Sequence, residues 1–166
     1  MYKRGKKMIK FITNHSMAHH IFRNHSRLEL LKTVKTRFGS YYLTFKRILK
    51  VREALASMVS SDSWQGLKDR AASASDRHDF QDVEDTVLDG HFWTQVKYVL
   101  QFTKPVYNMI RFADTDQSMI GEVYEKMDNM LGHIKDIVEQ LDAILYDHIH
   151  KHVVKRWDNL NVPLHL

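Results

Sequence analysis

The stretch "YYLTFKRILKVREALASMV", Tyr41–Val59, decides the fold class of this chain. Its apolar residues recur at intervals of three and four and form one stripe: Tyr42, Phe45, Ile48, Leu49, Leu55, Met58 and Val59. Cations occupy much of the remaining surface, which is the pattern of an amphipathic helix. Ser40 precedes the stretch and is a good N-cap, because its hydroxyl can accept a hydrogen bond from a free amide of the first turn. The stretch therefore predicts a helix over 41–59.

The same helical spacing extends outward over most of the chain. It recurs in Lys6–His25, in Gln81–Ile110 and in Met119–Leu145, and it continues as far as Trp157. Pro105 lies inside the second of these segments and either kinks a long helix or begins a new one. No strand pattern of period 2 reaches a useful length. We therefore predict an all-α bundle of five to seven amphipathic helices, several of them long.

The length of 166 residues suits one domain or one piece of a larger one. We predict a single helical region over 1–166, with its weakest helical signal between 60 and 80. "SSDSWQG", Ser60–Gly66, breaks the apolar period, and Trp64 is expected to anchor this connection in the core. The small and polar "DRAASASDRHD", Asp69–Asp79, favours a loop or a frayed helix. A loop over 60–80 is expected to separate a basic N-terminal part from an acidic C-terminal part.

Charge is distributed unevenly along the chain. Residues 1–53 hold 14 Lys and Arg against 2 Glu, whereas residues 54–166 hold 11 Lys and Arg against 18 acidic residues. The formal net charge of +5 thus combines a basic third of +12 with an acidic remainder of −7. A basic face of this kind is expected where a protein meets a polyanion. The alternative is a solvated basic helix that packs on acidic neighbours.

Composition and motifs exclude several function classes. The chain has no Cys, so it forms no disulfide, no thiolate zinc site and no Cys nucleophile, which fits the cytosol or the nucleus. No apolar run approaches the roughly 18 residues of a membrane span, and no apolar signal-peptide core follows the basic N-terminus. No Gly-rich phosphate loop or Ser/His/Asp spacing is present. We therefore predict no cofactor, no membrane partner and no small-molecule substrate.

The histidines come closest to a metal-binding pattern. Of the 11 His, His15 with His19 and His148 with His152 stand four residues apart in helical segments. Zinc needs three or four converging ligands, often with a carboxylate or thiolate among them, and the two pairs lie far apart in sequence. We therefore predict no metal site and expect surface or interface positions for these side chains.

The carboxylates offer one compact pair. Asp114 and Asp116 lie in the turn "ADTDQS" and are expected to cap the following helix rather than to act as a general acid and base. Asp82, Glu84 and Asp85 are expected in the first turn of a helix, where negative charge complements the helix dipole. No catalytic residue is predicted.

The basic third places aromatic residues between its cations. Such an arrangement is one by which proteins hold exposed bases and phosphates. The helical phase of Phe11, Phe22 and Tyr42 also suits core positions, whereas Phe38 is expected in the loop "TVKTRFG", directly after a cation. The residues that we select as DNA-binding candidates are Lys35, Arg37, Phe38, Lys46, Arg47, Lys50 and Arg52.

Four segments of the chain resemble hAT-superfamily transposases. Residues 14–59 contain "KTRFGSYY" and resemble the segment that carries the family's "TRF-G/A/W-S" signature. "FWTQVKYVLQFTKPVYNMIRFADTD", residues 92–116, is similar to the family's "FW…V…IL.FT.P.Y..LR.AD.D" stretch. "MIGEVYEKMDNML", residues 119–131, resembles the "G.VYE.MD" helix, and "IHKHVVKRWDNLNVPLHL", residues 149–166, resembles the "I…RWD.QL..PLH" element. The four follow the family's order, and they resemble plant members most.

The resemblance implies both a fold and a site. The segments correspond to the helical insertion of an RNase H-like catalytic core, whose three metal-binding acidic residues lie outside the matched segments. It therefore implies a nuclear, DNA-binding chain that has no catalytic activity by itself. In the family's insertion an Arg followed by an aromatic residue stacks on an unstacked base, and Arg37 with Phe38 matches this pair, with Phe where Trp is commoner. Phe38 either contacts a base or acts as a hydrophobic staple before Ser40.

The sequence leaves three functions open. The first is a transposase-derived fragment that binds DNA with low affinity through its basic third. The second is a helical interaction module that docks on a transposase-like protein or on another copy of the chain, for which the motive is the apolar stripe from Met119 to Trp157. The third is the product of a decayed reading frame without function. We expect the first, in the nucleus by resemblance and otherwise in the cytoplasm.

Overall fold

The computed structural model describes residues 1–32, 38–114, 120–138 and 143–160, with side chains except at 38, 120–121, 143–146 and 156–160. Within these ranges the chain is helical and contains no strand, which confirms the predicted all-α fold class. The helices are α1 (Tyr2–Asn14), α2 (Ser16–His25), α3 (Phe38–Lys50), α4 (Arg52–Val59), α5 (Asp62–Asp69), α6 (Ala74–Leu88), α7 (Gly90–Ala113), α8 (Ile120–Val138) and α9 (Ala143–Leu160). None of these helices is long and apolar enough to cross a membrane.

The chain forms two compact units rather than one helical region. The first spans Met1–Leu100 and the second Gln101–Leu166, so the division falls within α7. The expected loop over 60–80 is wrong, because α5 and the beginning of α6 occupy most of that range. Serine hydroxyls begin both helices: Ser61 accepts a hydrogen bond from the amide of Trp64 at 3.3 Å, and Ser73 accepts one from the amide of Asp76 at 3.0 Å.

The core of the first unit is formed by residues of α1 to α6 and of the N-terminal part of α7. Helix α1 packs on α2 and α6, and α2 packs on α4 and α5. Trp64 is fully buried at this centre, as predicted, and its ring lies 5.1 Å from that of Phe80 in an edge-to-face arrangement. Phe22 and Tyr42 are buried as their helical phase indicates. The apolar stripes that predict the helices are therefore the surfaces that close this core.

Helix breaks at two positions explain why more helices are present than the predicted five to seven. His15 has φ −94° and ψ 106°, which separates α1 from α2, and its Nδ1 accepts a hydrogen bond from the amide of Ala18 at 3.3 Å. Val51 has φ −101° and ψ 15°, which separates α3 from α4. The single helix predicted over 41–59 is therefore two helices. Ser40 lies inside α3 and not at its N-cap.

The second unit contains the C-terminal part of α7 together with α8 and α9. Helix α8 packs on α9. The buried apolar side chains described in this unit are Met130, Ile134 and Val138, and partly buried residues of α7 and α9 pack against them. Pro105 lies inside α7, where its ring removes one backbone donor without ending the helix.

Candidate nucleic-acid interface

The predicted DNA-binding residues of α3 and α4 differ in how free their charges are. Lys46 and Lys50 are exposed and stand one turn apart on α3, with the Lys46 ammonium 5.8 Å from the ring centroid of Tyr42. Arg47 is half-buried, and its Nη1 donates to the carbonyl oxygen of Glu29 at 2.9 Å. Arg52 is also half-buried, with its guanidinium 5.4 Å from the ring centroid of a buried tryptophan. The two lysines are therefore available to a ligand, whereas the two arginines already make contacts within the fold.

The remaining predicted residues lie around the start of α3. Lys35 and Arg37 lie outside the described residues. Phe38 is the first residue of α3 and so does not stand in the loop where the sequence suggested it, but its side chain is outside the description. Base contact and a hydrophobic staple both stay predictions for Phe38.

One face of α1 has its positive charge neutralised by α6. Arg4 Nη1 donates to Asp89 Oδ2 at 2.5 Å, and Lys7 Nζ lies 2.9 Å from Asp79 Oδ1 and 2.5 Å from Asp82 Oδ2. The hydrogen bonds that Lys7 donates to Asp82 and Asp79 raise the pKa of Lys7 above its ordinary value, and the bond from Lys7 lowers the pKa of Asp82. The bond from Arg4 lowers the pKa of Asp89 in the same way. For this face, the interpretation of a basic helix packed on acidic neighbours is correct.

Most cations of the basic third have no such partner. Arg4, Lys7 and Arg23 lie within 4.0 Å of a carboxylate oxygen. Nine others have no described carboxylate within that distance: Lys3, Lys6, Lys10, Arg27, Lys32, Lys46, Arg47, Lys50 and Arg52. The acidic helix α6 therefore neutralises only part of the basic third, and the first unit keeps a positive surface.

His15, before α2, and His19, within it, have structural partners. His15 caps the helix, as described above, and stacks on Phe11 with ring centroids 5.5 Å apart. His19 Nε2 lies 2.9 Å from a carboxylate oxygen of Glu29, and Arg23 lies 3.0 Å from the other oxygen of the same group. Across the described part of the chain, no group of three His, Asp or Glu side chains is placed to hold a metal ion. His19 and Arg23 thus share one exposed carboxylate, that of Glu29.

A buried carboxylate in α6 was missed by the sequence interpretation. Glu84 is only 7% exposed, and its Oε1 accepts from the indole N–H of Trp64 at 2.8 Å and from the amide of Gln65 at 2.9 Å. Its Oε2 accepts from Lys68 Nζ at 2.6 Å. Glu84, Asp82 and Asp85 lie in the C-terminal half of α6 rather than in its first turn, so that expectation was wrong. The available signal was its position on the apolar face of α6, one residue after a buried valine.

Of the expected acidic pair Asp114 and Asp116, only Asp114 is among the described residues. Asp114 is exposed in the turn after α7, and Asp116 lies outside the described residues.

Comparison of the whole chain with protein-family models, with curated proteins and with solved structures finds no match. The resemblance to hAT transposases therefore stays a prediction that depends on the four quoted segments.

Proposed function

We propose that the chain derives from an hAT-type transposase and that it binds DNA, without cutting it, through its basic N-terminal third. The observation that carries this proposal is the set of nine described cations up to residue 52 that have no carboxylate partner. Six of the nine are exposed: Lys3, Lys10, Arg27, Lys32, Lys46 and Lys50. Lysines and arginines that neutralise phosphates release condensed counterions, so these exposed cations give affinity that falls as salt rises. A nuclear location agrees with such a partner.

The positions of the resembling segments support the derivation. The described residues of 14–59 include α2, α3 and α4, those of 92–116 begin in α7, and those of 119–131 lie in α8. An all-α fold is also what the resemblance to a helical insertion implies. The resemblance places the acidic residues that cut DNA outside the matched segments, so we assign no catalytic role to this chain alone.

Two lysines of α3 are suited to test the proposal. Lys46 and Lys50 are exposed, and replacing both with Gln removes two positive charges while keeping good helix formers. Lys97 and Lys104 of α7 are equally exposed and outside the basic third, so Lys97→Gln with Lys104→Gln is a control of equal charge change.

The experiment is a titration of labelled double- and single-stranded DNA with each protein at several salt concentrations. We expect the unmodified chain to bind at low salt and to lose affinity as salt rises. The α3 double variant should bind duplex less tightly and with a salt slope smaller by about 1.8, at about 0.9 per phosphate contact. The α7 control should retain the original slope. Absence of binding at low salt, or binding that salt does not weaken, would overturn the proposal.

A second candidate function is suggested by the second unit. Only three apolar side chains described there are buried, Met130, Ile134 and Val138, while neighbours such as Val106 and Val153 remain partly exposed. An interaction module that docks on another copy or on a transposase-like protein would cover such residues. Size-exclusion chromatography with light scattering distinguishes the candidates, since a chain that stays monomeric at high concentration excludes self-association.

A further inference from the structure

A groove on α1 carries positive charge, and no acidic residue is among its described lining. Its volume is about 210 Å³, and it is lined by Lys6, Ile9, Lys10, Thr13, Asn14 and Lys32. It lies on a different face of α1 from Arg4 and Lys7, whose recess on the α6 side is lined by Asp82 and Asp85 as well. Lys10 and Asn14 line this groove and also a neighbouring recess that contains Lys7 and Asp79. Helix α1 therefore has one side where Arg4 and Lys7 are paired with acids, and the groove begins beside that side.

The three lysines of this groove form a row. Lys6 and Lys10 stand four residues apart on α1, a rise of about 6 Å along the helix axis. Lys32 reaches the groove from the segment after α2, and its Nζ donates to Asn14 Oδ1 at 3.2 Å. This bond fixes the third cation at the C-terminal end of the row. An anion bound in the groove would be attracted by all three cations.

The size of the groove and its neighbours indicate which anion fits. Sites for whole small molecules usually enclose about 300–1,000 Å³, so this smaller groove suits a phosphate group rather than a complete nucleotide. One aromatic ring lies beside it, since Lys6 Nζ is 6.0 Å from the ring centroid of Tyr2. Tyr2 in turn packs edge-to-face on Tyr41, with the ring centroids 5.4 Å apart. A row of cations bordered by aromatic rings is the arrangement that tracks one nucleic-acid strand.

We propose that this α1 groove binds the phosphate backbone of a single nucleic-acid strand, with Lys6, Lys10 and Lys32 contacting its phosphates. The proposal depends on the DNA-binding function proposed above and deepens it by naming a contact site that the sequence did not select. Segment 26–32 also brings the site close to the α3 candidates, because Glu29 accepts the hydrogen bond of Arg47 only three residues before Lys32.

The first experiment compares two double variants of equal charge change. Lys6→Gln with Lys10→Gln should reduce the salt slope for a single-stranded oligonucleotide by about 1.4, at about 0.7 per phosphate contact. Between 50 and 200 mM salt this corresponds to about sevenfold less loss of affinity. Lys97→Gln with Lys104→Gln should leave the slope unchanged. Equal salt slopes for the α1 and α7 double variants would overturn the proposed groove contact. The α3 double variant would still test the general DNA-binding proposal. If the unmodified chain binds no nucleic acid, both proposals fail.

A second measurement locates the contact in the unmodified protein and so does not depend on the folding of a variant. Acetic anhydride modifies accessible lysines, and mass spectrometry reports each position with and without the oligonucleotide. We expect protection of Lys6, Lys10 and Lys32, with Lys97 and Lys104 unprotected. Uniform or absent protection would overturn the assignment. Tighter binding of duplex than of single-stranded oligonucleotide would also overturn it. So would binding to vesicles of phosphatidylserine and phosphatidylcholine that is as strong as binding to the oligonucleotide.

Discussion

Replacing Glu84 with Ala removes one acceptor that three side chains share. The indole N–H of fully buried Trp64 would then have no described partner, and the amide of Gln65 and the ammonium of Lys68 would each lose a hydrogen bond. Because Gln65 is exposed and the Lys68 side chain is 17% exposed, both can turn toward water. The indole cannot do so, and its desolvation is the main cost.

The expected loss of unfolding free energy is about 2–4 kcal/mol. An unsatisfied buried donor costs about 1–3 kcal/mol, and the lost charged hydrogen bond from Lys68 adds about 1 kcal/mol after allowance for its rehydration. Glu84→Gln retains an acceptor for the indole, so its loss should be about half as large. A small domain is stable by about 5–15 kcal/mol in total, so the Ala variant should unfold at clearly lower denaturant.

Urea unfolding followed by tryptophan fluorescence measures these differences, since Trp64 and Trp93 both lie in the core of the first unit. Asp85→Ala is the matched control, because Asp85 is the next residue of the same helix and is exposed. We expect the control to lie within about 0.5 kcal/mol of the unmodified chain. A Glu84→Ala loss no larger than that of the control would refute the reasoning.

Two further predictions concern α1 and α5. Gly66→Ala should stabilise α5 by about 0.5–1 kcal/mol, because the added methyl would approach only the flexible end of an arginine at 3.9 Å. The change in unfolding free energy from Gly5→Ala should be at least about 1 kcal/mol less favourable than that from Gly66→Ala, as measured by thermal unfolding, because its methyl would lie 3.3 Å from a buried phenylalanine ring. Equal effects would contradict this. The lowered pKa of Asp82 contributes stability that is present above its ordinary value of 3.8 and is lost as pH falls through the folded-state pKa. Lys7→Gln should therefore flatten the decline of melting temperature between about pH 5 and 2, and parallel curves would argue against the pairing.

The periodic part of the fold could be predicted from the sequence, but its interruptions could not. The apolar stripe of 41–59 gave the right element type, yet the break at Val51 has no Gly or Pro to mark it. The break at His15 is marked only by an imidazole that caps the next helix, a role usually taken by Ser, Thr, Asp or Asn. Small polar residues in 69–79 left a loop or a frayed helix open, and Ser73 in fact caps the beginning of α6 there. These errors arise because capping and packing override local propensity.

The candidate interface could be predicted as a region but not residue by residue. The charge count located the basic third correctly as a surface with unpaired cations. It could not show that Lys7 is neutralised and Lys10 is not, because the acids that face Lys7 come more than 70 residues later in the chain. Nor could it show that Lys32 joins Lys6 and Lys10, since that depends on the path of the chain after α2.

The ion pairs between α1 and α6 have a consequence for the order in which the protein assembles. They join residues 75 and 85 positions apart, so α1 is made long before its partners. At a synthesis rate of about 5–20 residues per second, the delay is roughly 4–16 s. During that time the apolar side of α1, with Met8, Ile9 and Ile12, has no α6 to cover it. We expect α1 to be secured fully only after α6 has been made, so chaperone binding to α1 of the nascent chain should be strongest in this interval.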